Sequence, residues 1–256
     1  MNKEIRRVEL IHGLSQALRG QAAIRAAWLG GSDAFGRADE RSDLDLCIAV
    51  EDAKVEEAIG TVEAALTSLS PIAHRFRLPQ PTWHGHEQVF YRLRDAAPTA
   101  AVDLVVFAAS KPNQFRERER HGNAVILFDP DGLATPIPLD HAAHDAKVRA
   151  RLDALRASFP IFEPFVPKEL DRGRTIDAIA FYHSLTLRPL VDLLRIVHCP
   201  DRFDYGLRYL QIDLPGDVYK RLEPLAFVAR PEELRAKHAA VGQWFRKELE
   251  GLHATR

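Results

Sequence analysis

The spacing of apolar residues changes once along this chain, near Pro136 and Pro138, and that change constrains the fold more than any other feature. Upstream, apolar runs of strand length fall at 24–29, 44–50, 72–78, 88–93 and 101–107, with a short edge strand at 125–128 before the DPDG turn. Two helical patterns lie among them. Ile5, Val8, Ile11, Leu14 and Leu18 recur at helical spacing before Gly20, and Ile59, Val62, Leu66 and Leu69 do so before Pro71. Downstream the strand-like runs disappear. Helices are expected over 172–198, with a kink or break at Pro189, and over 218–228 and 231–252, and the proline-rich segment PIFEPFVP at 160–167 reads as a joint. The expectation is an α/β (α+β) domain with a mixed sheet over 1–135, followed by an all-α helical domain over 136–256.

Charge and cysteine content narrow the function classes. Thirty-five basic residues face 36 acidic ones, and 46% of the chain is apolar, which argues against a disordered protein and against a generally basic nucleic-acid binder. Nucleic acid is therefore a disfavoured partner. Cys47 and Cys199 are the two cysteines, one in an apolar strand and one beside a proline, so neither a disulfide framework nor a cysteine zinc site is expected. No apolar run is long enough to cross a bilayer, and the opening MNKEIRRVELIHGL lacks the core of a leader, so a soluble cytoplasmic protein is expected. The oligomeric state is not fixed by the sequence.

The chemistry concentrates in WLGGSDAFGRADERSDLDLCIAV, residues 28–50. Gly30 and Gly31 allow a tight turn whose amides can approach an anion, and Ser32 adds a hydroxyl at the start of a helical turn. Ten residues later come Ser42, Asp43, Leu44 and Asp45. Alternation along a strand sends Asp43 and Asp45 to one side and Leu44 and Leu46 into the core. Two carboxylates this close repel unless a cation lies between them, and oxygen ligands at this spacing suit magnesium. Asp103, in AVDLVVF, sits opposite in phase to the apolar Val102 and Leu104 and supplies a third carboxylate if its strand neighbours the first. Three convergent carboxylates can hold two metal ions for an in-line displacement.

These residues resemble the nucleotidyltransferase superfamily that includes DNA polymerase β and the aminoglycoside nucleotidyltransferases. Its motif is a Gly-Ser, then Asp-x-Asp, then a later carboxylate, matched here by Gly31-Ser32, Asp43-Leu44-Asp45 and Asp103 over about a third of the chain. The resemblance implies a Mg-dependent enzyme that moves a nucleoside monophosphate from a nucleoside triphosphate, ATP first among them, to a hydroxyl, releasing pyrophosphate. Asp43, Asp45 and Asp103 would be catalytic and hold two Mg2+ ions, while Gly30, Gly31, Ser32 and Ser42 would bind the nucleotide. A small hydroxyl-bearing acceptor such as an aminoglycoside is the first choice, with the helical domain closing its pocket. The alternatives are nucleotidylation of a protein or an RNA end, and a non-catalytic nucleotide-binding or toxin-antitoxin partner module. Many members carry an arginine three residues after the motif serine; this chain has Phe35, with Arg37 and Arg41 nearby.

Other features carry less. WHGHEQ gathers His84, His86 and Glu87, yet a polar loop ahead of a strand explains them without zinc, and Glu87 stands as a rival to Asp103 for the third carboxylate. Arg188, Asp192 and Arg195 share a helix surface, with Arg208 and Tyr209 further on; an intrahelical charge ladder explains them better than an acceptor wall. Phe181 and Tyr182 read as core packing. Asp177, Asp192, Asp201 and Asp204 are the carboxylates of the helical part available to a cationic acceptor.

Overall fold

The structure, a computed structural model, describes residues 4–111 and 115–254, so the first three residues of the opening stretch lie outside the described residues. The chain divides into two compact units, 1–139 and 140–256. The first unit runs four residues past the expected boundary because its tail is tied back. Ile137 donates its N–H to the Arg116 carbonyl at 3.0 Å, and the amide of Leu139 bonds the Glu119 carboxylate at 2.9 Å.

In the first unit the elements are α1 (Arg7–Leu18), β1 (Ala26–Leu29), α2 (Gly31–Ala34), β2 (Leu44–Val50), α3 (Val55–Leu69), β3 (Ile72–Arg77), β4 (Glu87–Leu93), β5 (Val102–Ala108), α4 (Arg118–His121) and β6 (Val125–Phe128). The six strands form one mixed sheet in the order β3-β4-β5-β2-β1-β6, in which β2 and β5 are parallel and every other neighbouring pair is antiparallel. Alternation decides what each face carries. Leu44, Leu46, Ile48, Val102, Leu104, Val106, Val89 and Tyr91 point to one face, where they pack on Leu10 and Leu14 of α1 and Ile59, Val62 and Leu66 of α3. The opposite face holds a smaller cluster around Trp28, Ala49 and Phe107, whose Trp28 and Phe107 rings stack at 5.3 Å. The same phase that buries Leu44 and Leu46 turns Asp45 to this second face, beside Cys47.

The second unit consists of α5 (His141–Phe162), α6 (Phe165–Asp171), α7 (Thr175–Phe181), α8 (Arg188–His198), α9 (Leu210–Asp213), α10 (Gly216–Ala226) and α11 (Pro231–Ala254). Phe159 stacks on Phe245 at 3.8 Å in its core, which also buries Tyr182, Leu190, Leu194, Val241 and Trp244. The joint expected at 160–167 is present but short, since α5 ends at Phe162 and α6 begins at Phe165. The segment 160–167 is mostly helical: Pro160 lies in the last turn of α5, Pro164 caps α6, and Pro167 sits in the first turn of α6, where a missing N–H costs little. The irregularity expected at Pro189 takes the form of a change of helix type. The turn before it widens into a π-helix over Tyr182–Leu187, and Pro189 enters at the start of α8.

Candidate active site

The β1–β2 pairing runs on into the glycine turn, since the Gly30 amide donates to the Asp45 carbonyl at 2.9 Å. Gly31 then turns back with φ of +51°, and a Cβ there would lie 1.7 Å from Oδ2 of Asp45. Glycine is thus required by the carboxylate it touches as well as by its backbone. At Gly30 a Cβ would meet Cys47 Sγ at 3.6 Å and Asp45 Cβ at 3.9 Å, ordinary contacts. Ser32 follows in the single turn of α2, and its hydroxyl oxygen is buried without a hydrogen-bond partner.

Asp45 and Asp103 are register partners on the parallel pair β2 and β5. Adjacent strands lie about 4.8 Å apart, so the two carboxylates stand side by side on one face. Their joint field reaches Cys47, whose thiol is pushed well above its ordinary pKa by burial first, then by Asp45 and Asp103. Asp43 is exposed and precedes β2. Its carbonyl accepts from Arg7 at 3.3 and 3.2 Å, and the same guanidinium pairs with Asp33. Arg7 therefore ties both ends of the loop between the glycine turn and β2, a role no local pattern on α1 announces. Ser42 is engaged within that loop: its hydroxyl accepts from the Asp39 amide at 3.0 Å and donates to the Asp39 carboxylate at 3.1 Å. Arg37 lies over the Phe35 ring at 4.9 Å.

Register separates Asp103 from its rival. Glu87 pairs with Val106 in the β4–β5 ladder and shares the phase of Val89 and Tyr91, which places it on the helix face. There it binds Arg77 at 2.8 Å, and Arg77 in turn binds Glu56 of α3 at 2.6 Å. Gln88, one residue on, faces the carboxylates: its amide nitrogen donates to both oxygens of Asp103, at 2.7 and 2.9 Å. His84 Nε2 meets Gln88 Oε1 at 3.0 Å. Trp83, 84% exposed, packs edge-on to His84, and His86 packs on Phe107 at 4.6 Å. A separate cleft of about 370 Å³, lined by Asp52, Glu56, His86, Glu87 and Lys111 among others, includes none of Asp43, Asp45 and Asp103.

The Asp45–Asp103 pair fits a hard divalent cation in its chemistry, two oxygen donors whose mutual repulsion a cation would relieve. Among the described residues no three His, Cys, Asp or Glu side chains are gathered so as to hold a metal ion, so Asp43 does not close a three-carboxylate cluster with the pair.

In the second unit the polar helix residues are spoken for. Asp192, 3% exposed, accepts from Arg188 at 2.7 Å and from Arg151 at 2.5 Å, which removes it from the carboxylates available to a cationic acceptor. Arg195 is fully buried and binds Asp213 at 2.9 Å and the Gly206 carbonyl at 2.7 Å. Tyr182 is core and donates to the Leu225 carbonyl at 2.6 Å. Asp177 and Asp204 are exposed.

The chain matches no family model and no curated protein. Among solved structures it is similar to a nucleotidyltransferase-like protein from Exiguobacterium sibiricum, at 14% identity over 95% of this chain and 80% of that one, with a TM-score of 0.36. It is similar also to a spectinomycin adenyltransferase from Enterococcus faecialis solved with ATP and spectinomycin, at 11% identity over 95% of this chain and 98% of that one, with a TM-score of 0.32. Among the described residues no helix is long and apolar enough to cross a membrane.

Proposed function

We propose that this protein transfers a nucleoside monophosphate from a nucleoside triphosphate to a hydroxyl of a small acceptor, releasing pyrophosphate. One observation carries the reading: Asp45 and Asp103 stand in register on parallel strands directly beside a glycine turn that Asp45 itself forbids to any larger residue. Strand pairing alone would have been satisfied by apolar residues at both positions. Two like charges side by side at one spot are instead the arrangement that a phosphate-bound cation stabilises.

Each residue then has a distinct task. Asp43 and Asp45 would hold magnesium against the triphosphate, and Asp103 would help hold a second ion; bound there, magnesium supplies charge neutralisation for the phosphates. Gly30 and Gly31 let the chain approach the phosphates closely, and the buried Ser32 hydroxyl has its proton to donate to a phosphate oxygen. Asp103 accepts the proton of the attacking hydroxyl as the new oxygen–phosphorus bond forms and the bond to pyrophosphate breaks. Ser42 supports the loop through Asp39, a positioning task in place of nucleotide contact.

ATP is the first donor to test and an aminoglycoside the first acceptor class, since the chain has no excess of basic residues with which to hold a polyanionic acceptor. The deciding experiment is pyrophosphate release with each nucleoside triphosphate and magnesium, against a panel of aminoglycosides and against cell extract. Release confined to one donor and one aminoglycoside supports the reading. Release only with a protein or RNA fraction moves the acceptor to that class, and absence of both release and nucleotide binding overturns the proposal.

A further inference from the structure

The polarity of a hydrogen-bond chain that ends on Asp103 is set by a group that cannot reverse, the backbone amide of His86. That amide donates to Nδ1 of His84 at 3.1 Å, so Nδ1 holds a lone pair and the ring carries its proton on Nε2. The Thr82 hydroxyl, 3.4 Å from the same nitrogen, donates its own proton to the His86 carbonyl at 2.7 Å. From Nε2 the proton of His84 goes to Oε1 of Gln88 at 3.0 Å. This fixes the orientation of the amide, because a flipped Gln88 would set an N–H against a ring N–H and a carbonyl against a carboxylate. Its nitrogen is left to donate to Asp103, and it reaches both oxygens. Sheet geometry makes the reach possible: Phe90 is the register partner of Asp103, so Gln88 is the diagonal neighbour, at a distance that a long side chain spans.

We infer that Gln88 and His84 are positioning residues for Asp103, holding its carboxylate in one rotamer and as an acceptor. The inference rests on the proposed role of Asp103. A neutral amide suits that task better than an arginine would. It orients the carboxylate without cancelling the charge that a metal ion or an incoming proton must meet. His84 acts only through Gln88, by preventing the flip. The WHGHEQ segment thus has a use that is neither zinc binding nor a third carboxylate: its first histidine reads the backbone of its second and passes that direction to the strand that follows.

The test joins one measurement on the resting protein to a kinetic cycle. In NMR spectra of nitrogen-labelled histidine, His84 is expected as the Nε2–H tautomer, and an Nδ1–H tautomer would overturn the relay whatever the activity. In turnover, Gln88→Ala is expected to lose about 10- to 100-fold in kcat, the range typical of residues that orient a functional carboxylate, with ATP–magnesium affinity by calorimetry nearly unchanged. Gln88→Met keeps the length of the side chain and removes the donor without adding charge, so it should be as impaired as Gln88→Ala while melting near the wild type, which guards against a variant that merely misfolds. His84→Ala should be milder, and the double variant His84→Ala with Gln88→Ala should be no slower than Gln88→Ala alone. Losses that multiply in the double variant, or a Gln88→Ala enzyme with wild-type kcat beside an inactive Asp103→Asn, overturn the inference. Wild-type turnover in Asp103→Asn would instead remove the base assigned under the proposed function, with the NMR result still deciding whether the relay exists.

Discussion

Gly31 and Asp45 leave no room for each other's substitution: a Cβ on Gly31 would lie 1.7 Å from Oδ2 of Asp45 and 2.5 Å from its Cγ. Gly31→Ala therefore does two things. It places a non-glycine residue at φ of +51°, which costs about 1 to 2 kcal/mol on backbone grounds, and it drives the carboxylate out of line with Asp103. The expected result is a folded protein with a lowered melting temperature and turnover reduced far beyond what that destabilisation explains. Gly30→Ala, whose Cβ makes only ordinary contacts, the nearest to the Cys47 sulfur at 3.6 Å, should be tolerated better on both counts. Equal loss of turnover in the two variants would show that the turn, and not the Asp45 contact, is what matters.

Asp45 also sets the metal dependence. If its charge is balanced by a cation shared with the nucleotide, ATP should bind far more tightly in magnesium than in chelator, and Asp45→Asn should erase that difference. The same variant removes one of two neighbouring like charges, so the metal-free protein should melt no lower than the wild type. Titration calorimetry with and without chelator decides the first point and differential scanning calorimetry the second. ATP affinity indifferent to magnesium in the wild type would remove the shared cation from the reading.

Asp103 and Glu87 should behave oppositely under the same substitution. Asp103→Asn keeps the shape and loses the proton acceptor, so turnover should collapse while ATP affinity holds, since a base acts in the transition state. Glu87→Gln alters the helix face, where the side chain is paired with Arg77, and should leave turnover near wild type with at most a small loss of stability, about 0 to 1 kcal/mol for a partly exposed pair. Ser32→Ala should fall between them, weakening nucleotide binding by about 1.5 to 3 kcal/mol if its hydroxyl bonds a charged phosphate. A Glu87→Gln enzyme as inactive as Asp103→Asn would contradict the face assignment.

What could be read in advance was whatever follows from local phase. Asp45 and Asp103 were legible because alternation within each strand sets them against their apolar neighbours, and the parallel pairing of β2 with β5 then brings them together. Glu87 was ambiguous for the same reason: it precedes the apolar run of β4, and only the β4–β5 register shows which face it takes. Gln88 and Arg7 were invisible. Their partners lie 15 and 26 residues away, and a glutamine in a strand or an arginine in the first turn of an amphipathic helix looks like any solvated side chain until the pairing is known. The prolines of 160–167 marked the place of the joint and overstated its length, because Pro167 falls in a first turn, where no N–H is needed.

Arg195 shows the same limit in the second unit, where the expected ladder is half right. Arg188 and Asp192 do bond at i, i+4, but Arg195 turns inward to Asp213, and both side chains are fully buried. Arg202 reaches the other oxygen of Asp213 at 2.6 Å. Arg195→Met leaves Asp213 with Arg202 alone and orphans the Gly206 and Arg202 carbonyls in the interior, so it should destabilise the protein by about 3 to 5 kcal/mol, measured by denaturant unfolding. Replacing Arg195 and Asp213 together with apolar residues should cost less than Arg195→Met alone. If Arg195→Met instead melted like the wild type and lost acceptor binding, the residue would belong to a binding wall after all.

Stability of the second unit should fall on mild acidification through His238. This side chain is 8% exposed, with Nδ1 3.3 Å from the Thr186 hydroxyl oxygen. Burial is the main cause that holds its pKa below the ordinary 6.5; Glu163 opposes the shift, and Arg246 and Arg235 add to it. The unfolded chain then binds a proton that the folded chain refuses. The folded state is therefore fully favoured above the ordinary value and loses ground as pH drops through it toward the lower folded-state value. The transition of this unit in a calorimetric scan should come at lower temperature at about pH 5.5 than at about pH 7.5, straddling the free histidine value. His238→Gln keeps a side chain able to bond Thr186 and removes the titration, so the gap between the two scans should shrink. If the gap were as wide in His238→Gln as in the wild type, another group would carry the acid sensitivity and His238 would be an ordinary core residue.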